Sequence, residues 1–278
     1  VKRRLARFLD RRTRQNPTES APAVSLASRS TDPEIHEHME TVPGILLDVL
    51  SLQHGLKGKR VLEVGCGPGL TALGLAQKAC PNLLAAFDLQ FHMRETLNQL
   101  GSHPLPQALP TCLHYILTDA SNLGFRDESF DLVYAWSVFE HLKEPNTVLS
   151  EIQRVLMPQG QLYIQIAPLY YSAFGHHCWE HVSEPFSHLK WDQETFRNAV
   201  FSSCSPQERI QRDWQTYEGL NRLTVGSLQK MLLQSGWILE RIVLQCDDLK
   251  HTHLAGPLSH VPLQDLACVQ INLVARKP

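Results

Sequence analysis

The amino-acid sequence predicts an α/β fold, a mostly parallel sheet with helices on both faces. Three features point there. Short apolar runs alternate with helical stretches at the spacing of βαβ units. The first run ends in a glycine cluster, Gly65-Cys66-Gly67-Pro68-Gly69, that leads straight into a helix. Three acids, Glu63, Asp88 and Asp119, stand at the ends of the first three strand candidates, where an open parallel sheet places its ligand crevice.

The chain begins with a basic stretch, Lys2, Arg3, Arg4, Arg7, Arg11, Arg12 and Arg14 against Asp10 alone, beside the apolar Leu5, Phe8 and Leu9. It reads as a solvated, fraying helix, with a membrane-surface or targeting role as the alternative. Pro17 to Ser30 is rich in Ser, Ala and Pro, so residues 1–32 are expected to be a basic N-terminal segment and linker. Val1 in place of an initiator Met fits an excised or processed piece.

A cofactor-binding core is expected over 33–167. Pro33 to about Leu52 is helical in pattern and interrupted near Pro43 and Gly44. The first strand runs Arg60 to Val64 and its helix Thr71 to Ala79; the second strand runs Leu83 to Phe87 and its helix Phe91 to Leu100. Gly101 to Pro110, with three prolines, is a loop before a third strand near Leu113 to Leu117. Phe130 to Tyr134 is the fourth strand, and Glu144 to Leu156 its crossover helix, stopped by Pro158 and Gly160. Gln161 to Ala167 is the fifth strand.

The rhythm then breaks. Residues 168–222 carry Tyr170, Tyr171, Phe174, Trp179, Phe186, Trp191 and Trp214, too many aromatics for a solvated loop and too long a stretch for a connection. An inserted cap or substrate lid is expected. The core resumes over 223–278, with a helix at Val225 to Gln234, a strand at Trp237 to Gln245 and a last strand near Val269 to Ala275.

Composition narrows the function. The 278 residues are 43% hydrophobic and 19% charged, as in a globular chain of one large domain with an insertion. Twenty-six basic and 28 acidic side chains leave a formal charge of -2, without the long-range field of a general nucleic-acid binder. The seven cysteines form no C-x-x-C pair and read as free thiols of a reducing compartment, so a cytoplasmic location is expected. No apolar run approaches the roughly 18 residues of a transmembrane segment.

The glycine cluster departs from the dinucleotide fingerprint G-x-G-x-x-G, because position 70 is Leu and the third glycine comes one residue early. Glu63, just before the turn, is a poor neighbour for phosphates and a good one for an ammonium group. A cofactor with an amino-acid tail fits. Asp88, 25 residues after Glu63, stands where an acid accepts both ribose hydroxyl hydrogens, and Asp119 where one accepts from an adenine amine. Each aspartate alone also reads as a cap or turn former.

In this order the motifs resemble those of the class I S-adenosylmethionine-dependent methyltransferases with small-molecule acceptors. The resemblance is close from Leu56 to Ala167 and loose over the last fifty residues. It rests on Glu63-Val-Gly65-Cys-Gly67-Pro-Gly69, on Asp88-Leu-Gln-Phe-His-Met93, on Thr118-Asp119-Ala120, and on the run from Phe130 to His141. It implies a Rossmann-like sheet of seven strands, ordered 3-2-1-4-5-7-6 with strand seven antiparallel, and S-adenosyl-L-methionine as cofactor. It further implies Asp88 on the ribose, Leu89 and Met93 lining the adenine pocket, Asp119 and Ala120 beside the adenine, Ala135 and Trp136 near the cofactor, and His141 at the rim of the cleft.

A hydroxyl acceptor must shed a proton, and histidine is the natural base near neutral pH. The densest supply is His176-His177-Cys-Trp-Glu180-His181, where Glu180 is positioned in sequence to orient an imidazole. Adjacent histidines point in different directions, so one of the two is expected to face the cleft, His177 ahead of His176, with His141 as the other candidate. These residues with His181 also raise the question of a divalent ion, but no cysteine pair or H-E-x-x-H helix accompanies them and no metal is expected. The leading expectation is O-methylation of a hydroxylated natural product or a carrier-tethered intermediate. N- or C-methylation of a small molecule is the alternative, and a non-catalytic cofactor-binding partner protein is the reading from a different class. A nucleic-acid acceptor is disfavoured, since Ala135-Trp136-Ser137-Val138 is unlike an Asn-Pro-Pro-Tyr motif.

Overall fold

A computed structural model describes residues 33–50, 55–90, 109–249 and 256–278. The expected basic segment and linker of residues 1–32, the helix from Phe91 to Leu100 with Met93, and most of the proline-rich loop lie outside the described residues. Seven strands form one sheet: β1 Arg60–Val64, β2 Leu83–Asp88, β3 Leu113–Leu117, β4 Phe130–Trp136, β5 Leu156–Ile166, β6 Ile238–Cys246 and β7 Cys268–Arg276. Their order is β3-β2-β1-β4-β5-β7-β6. The first five pair in parallel, and β7 runs antiparallel to both β5 and β6.

The central strands β1, β2 and β4 are buried on both faces, which is why they are apolar almost throughout instead of alternating, whereas the edge strand β6 is exposed along nearly its whole length. Successive side chains still go to opposite sides. Leu62, Val64, Val133 and Ala135 join one core layer, and Val61, Leu132 and Tyr134 join the other. The first layer is closed by α4 (Pro145–Val155) and α8 (Val225–Gln234); the second by α1 (Pro33–His36), which runs through a π-helical turn (Glu37–Thr41) into α2 (Val42–Val49), and by α3 (Leu70–Ala79). In α4, Pro145 sits in the first turn and Val148, Leu149, Ile152 and Val155 form the buried stripe. Each such side chain contributes roughly 1.5–3 kcal/mol by leaving water.

One expected boundary moves. The crossover helix stops at Val155, and the chain enters β5 at once, five residues before the expected start. Pro158 and Gly160 do stop the helix, but they lie inside the strand at an irregularity in its pairing with β4, with Gln159 at φ 64. A bulge tolerates the missing proline donor that a regular ladder would not.

Between β5 and α8 the chain leaves the sheet. Residues 168–222 carry α5 (Ser187–Lys190), α6 (Gln193–Phe201) and α7 (Gln207–Glu218). They have an apolar core of their own, made by Cys178, Val182, Phe196, Val200, Ile210 and Trp214. Asn221 ties the end of this segment back to the sheet. Its backbone N–H donates to Glu140 O at 2.9 Å, and its side-chain amide donates to Phe139 O at 2.6 Å and Leu142 O at 2.9 Å. A short helix α9 (Leu263–Ala267) precedes β7. No helix among the described residues is long and apolar enough to cross a membrane.

Candidate active site

The glycine turn links β1 to α3 at the C-terminal edge of the parallel strands. Gly65, Gly67 and Gly69 have φ of 67, 47 and 78, in the left-handed region where a Cβ is costly. Two of them are also pressed by neighbours. A Cβ on Gly65 would meet the Val138 methyls at 2.6 Å, and one on Gly69 would meet the Tyr115 ring at 2.5 Å. Nothing lies within 4 Å of the Cβ position at Gly67, so the turn is open there. Tyr115 donates its hydroxyl hydrogen to Gly69 O at 2.8 Å, a brace from β3 that the sequence does not announce.

The three strand-end acids have different surroundings. Asp88 closes β2 and accepts from Gly67 N–H at 2.8 Å through Oδ2, and from Gln90 N–H at 3.2 Å through Oδ1. Glu63 is 3% exposed, and its Oε2 has no hydrogen-bond partner. Burial raises its pKa to about 8, with nearby Asp88 adding to the rise. The Tyr134 hydroxyl eases the carboxyl without reaching hydrogen-bond geometry. Asp119 is exposed and accepts from both the backbone N–H and the hydroxyl of Ser121 at 2.8 Å, bonds that lower its pKa. Here the turn-forming role is realised, and the second carboxylate oxygen remains open to a ligand.

The expected apolar lining is split. Leu89 is 66% exposed beside Asp88, and Ala120 is buried. Ala135 lies in one core layer, while Trp136 stacks on Tyr163 with ring centroids 6.1 Å apart against the other layer.

Beyond β4, Ser137 takes φ 51, with its N–H and hydroxyl both donating to the buried Gln165 side chain. A 3₁₀ turn, Phe139–His141, follows. It brings His141 against His177, ring centroids 5.1 Å apart and nearly perpendicular. His177 sits at φ 59, and its Nε2 is 3.3 Å from the Pro168 carbonyl. Burial pushes the His177 pKa down to about 3 and lowers that of His141. His141 is exposed by surface area, yet the groups around it desolvate its ring enough to lower its pKa. Behind the pair, Glu140 is 2% exposed with neither oxygen hydrogen-bonded, and burial raises it to about 8 despite the backbone amides of Glu140 and Ala167 nearby. One ligand-type atom from each of Glu140, His141 and His177 lies within 4.8 Å of the others.

Two candidates for catalysis stand apart from this cluster. His176 is wholly buried, accepts from Cys178 N–H at 2.9 Å through Nδ1, and packs among Phe174, His188 and Phe196. Glu180 orients no histidine: its carboxylate pairs with Arg209. The physical reason is the turn, which sends neighbouring side chains in opposite directions. His181 likewise turns away, to Ser203 at 2.8 Å and Asp213 at 3.0 Å. The acid that accompanies the histidine pair is Glu140, which sequence reasoning passed over because its neighbour His141 carried the chemical signal.

The fold, with its glycine turn after β1, is that of a Rossmann-like enzyme. Comparison with known proteins agrees. Residues 62–164 match the family described as a methyltransferase domain. The chain is 30% identical over 200 residues to the "Probable phthiotriol/phenolphthiotriol dimycocerosates methyltransferase 2" of Mycobacterium ulcerans, covering 70% of this chain and 71% of that one. It is 29% identical over 116 residues to the ubiquinone biosynthesis O-methyltransferase of Haemophilus ducreyi, covering 40% of this chain and 46% of that one. Among solved structures, an S-adenosylmethionine-dependent methyltransferase of Mesorhizobium loti superposes with a TM-score of 0.50 at 18% identity, over 82% of this chain and 95% of that one. The chain belongs to the class I S-adenosylmethionine-dependent methyltransferases, and S-adenosylmethionine is its cofactor.

Proposed function

We propose that the chain transfers the cofactor's methyl group to an oxygen of a hydroxylated small molecule or a carrier-tethered intermediate. The observation that carries this reading is the Glu140–His141–His177 cluster, which follows the Val138 side chain packed on Gly65 and so lies beside the cofactor turn. An amine can attack through its own lone pair, whereas a hydroxyl needs help with its proton, and this cluster is the help available.

The turn fits the cofactor. A buried carboxylate with an unpaired oxygen suits an ammonium group, and Glu63 is assigned that contact. Asp88, already fixed by Gly67 N–H, is assigned the ribose hydroxyls. The open backbone at Gly67, with Gly65 and Gly69, carries the amino-acid tail and ribose. Leu89, Ala120 and the free oxygen of Asp119 border the adenine, and Ala135 and Trp136 end the strand beneath the site. When bound, the cofactor supplies an electrophilic methyl group, and the protein must hold the acceptor in line with it.

The acceptor is assigned to the space under residues 168–222, a cap whose aromatic side chains exclude water from the reaction. The named activities of the Mycobacterium and Haemophilus relatives support a small-molecule acceptor. Seven unpaired cysteines support a cytoplasmic setting. The test is product analysis with matched hydroxyl, amine and enolisable acceptors. Turnover confined to hydroxyls, lost about 10²–10⁴-fold in folded His177→Ala with cofactor affinity retained, supports the reading. Preference for amines, with His177→Ala near normal, sinks it.

A further inference from the structure

The Glu140–His141–His177 cluster brings one carboxylate and two imidazoles together beyond the ends of β4 and β5. Both oxygens of the nearly inaccessible Glu140 carboxylate have no hydrogen-bond partner. Unpaired buried carboxylate oxygens are costly, and a fold retains them where a ligand completes them. A cation that takes lone pairs from two imidazoles and a carboxylate matches this donor set.

From this geometry we infer that Glu140, His141 and His177 form a binding site for a divalent transition-metal ion at the acceptor end of the crevice. Two imidazoles and one carboxylate are a donor set for Zn²⁺, Mn²⁺ or Fe²⁺ that leaves coordination positions open. Ligand atoms about 2.0–2.2 Å from one ion stand about 3.0–3.5 Å apart, and these already lie within 4.8 Å, so modest side-chain rotations close the site. The surroundings are those of a ligand set. Nε2–H of His177 donates to the Pro168 carbonyl, which fixes the tautomer and leaves Nδ1 with its lone pair. Asn221 holds the 3₁₀ turn through the carbonyls on either side of His141 and of Glu140 itself. His141 opens to solvent and provides the entry path.

The ion's task rests on the oxygen-acceptor reading. Coordinated to the acceptor hydroxyl, the ion acts as a Lewis acid: the O–H proton leaves to water, and the oxygen forms a bond to the methyl carbon as the carbon–sulfur bond breaks. No oxidant or reductant enters.

Metal binding is read separately from turnover. Chelator-treated full-length chain is titrated with Mn²⁺, which avoids the free thiols, and free Mn²⁺ is followed by electron paramagnetic resonance. One ion per chain is expected, with affinity lowered at least tenfold in Glu140→Gln, His177→Ala and the exposed His141→Ala, and unchanged in Glu180→Gln. Melting temperatures identify variants that fail to fold, and His141→Ala keeps the test decisive if Glu140→Gln does. Absence of a bound ion in the wild type, or equal binding in folded variants, overturns the inference even if hydroxyls are methylated. One bound ion lost in these variants, in a protein that methylates amines alone, upholds the site and removes only the oxygen-acceptor reading.

Discussion

Asp88 Oδ2 accepts a hydrogen bond from Gly67 N–H at 2.8 Å, so the last residue of β2 fixes the middle of the glycine turn after β1. One carboxylate thus shapes the turn and, in the proposed reading, also takes the ribose hydroxyls. Asp88→Ala should lose both functions and weaken S-adenosylmethionine binding by roughly 1–3 kcal/mol, the range of charge-assisted hydrogen bonds. Asp88→Asn, which keeps an acceptor oxygen, should fall between. Calorimetry on folded protein decides, and an unchanged dissociation constant in Asp88→Ala removes the ribose assignment.

Glu63 makes a prediction about protons. With a pKa near 8 in the free protein, its carboxyl is about nine-tenths protonated at pH 7. An ammonium group beside it favours the carboxylate, so cofactor binding at pH 7 should release up to about one proton. Affinity should rise with pH toward 8. Binding enthalpies measured in phosphate and in Tris should differ accordingly, and Glu63→Gln should abolish the difference. Equal enthalpies in both buffers for the wild type would show that the cation goes elsewhere.

The insertion's own core offers a separate handle. Phe196 is 1% exposed and lies among His176, His188, Trp214 and Tyr217. Phe196→Ala should destabilise this segment by about 3–5 kcal/mol and loosen the cap. Acceptor KM should suffer far more than cofactor affinity. Equal loss of both in a folded variant would place the segment in the cofactor pocket.

Acid sensitivity follows from His188. Its Nε2–H donates to Tyr170 O at 2.6 Å, while burial holds its pKa near 4, below the ordinary 6.5. The unfolded chain therefore binds the proton first as pH falls. The stability this group contributes is complete above pH 6.5 and is lost between 6.5 and about 4, at up to roughly 1.4 kcal/mol per pH unit. His188→Gln, which retains a donor but does not titrate, should show a smaller drop in melting temperature over that window. Parallel curves for both proteins would exclude His188 as the source.

Much of the cofactor end was legible in the chain because its signals are local. A strand followed by Gly65, Gly67 and Gly69 determines a turn with left-handed backbone, and Asp88 reads as a strand end without reference to anything else. The period and length of the apolar runs gave the strands and most helices, while the sheet order came by resemblance and agrees with the pairing observed. The start of β5 was missed because Pro158 and Gly160 end a helix and also fit a bulge, and only pairing with β4 distinguishes the two.

The histidine cluster depended on contacts that no local pattern encodes. His141 and His177 are 36 residues apart in sequence and meet because β4 and β5 pair side by side and end at the same edge. His176 and His177 are chemically identical in the sequence, and it is the backbone at φ 59 that sends one into the insertion's core and the other toward His141. Glu180 reads as the orienting acid only until Arg209 takes it, and Glu140 becomes significant only once burial leaves its oxygens unpaired. The sequence by itself determined the cofactor turn, since steric rules for backbone and glycine act within a few residues. Tertiary packing decided which titratable groups converge, because desolvation and long-range pairing are properties of the assembled fold.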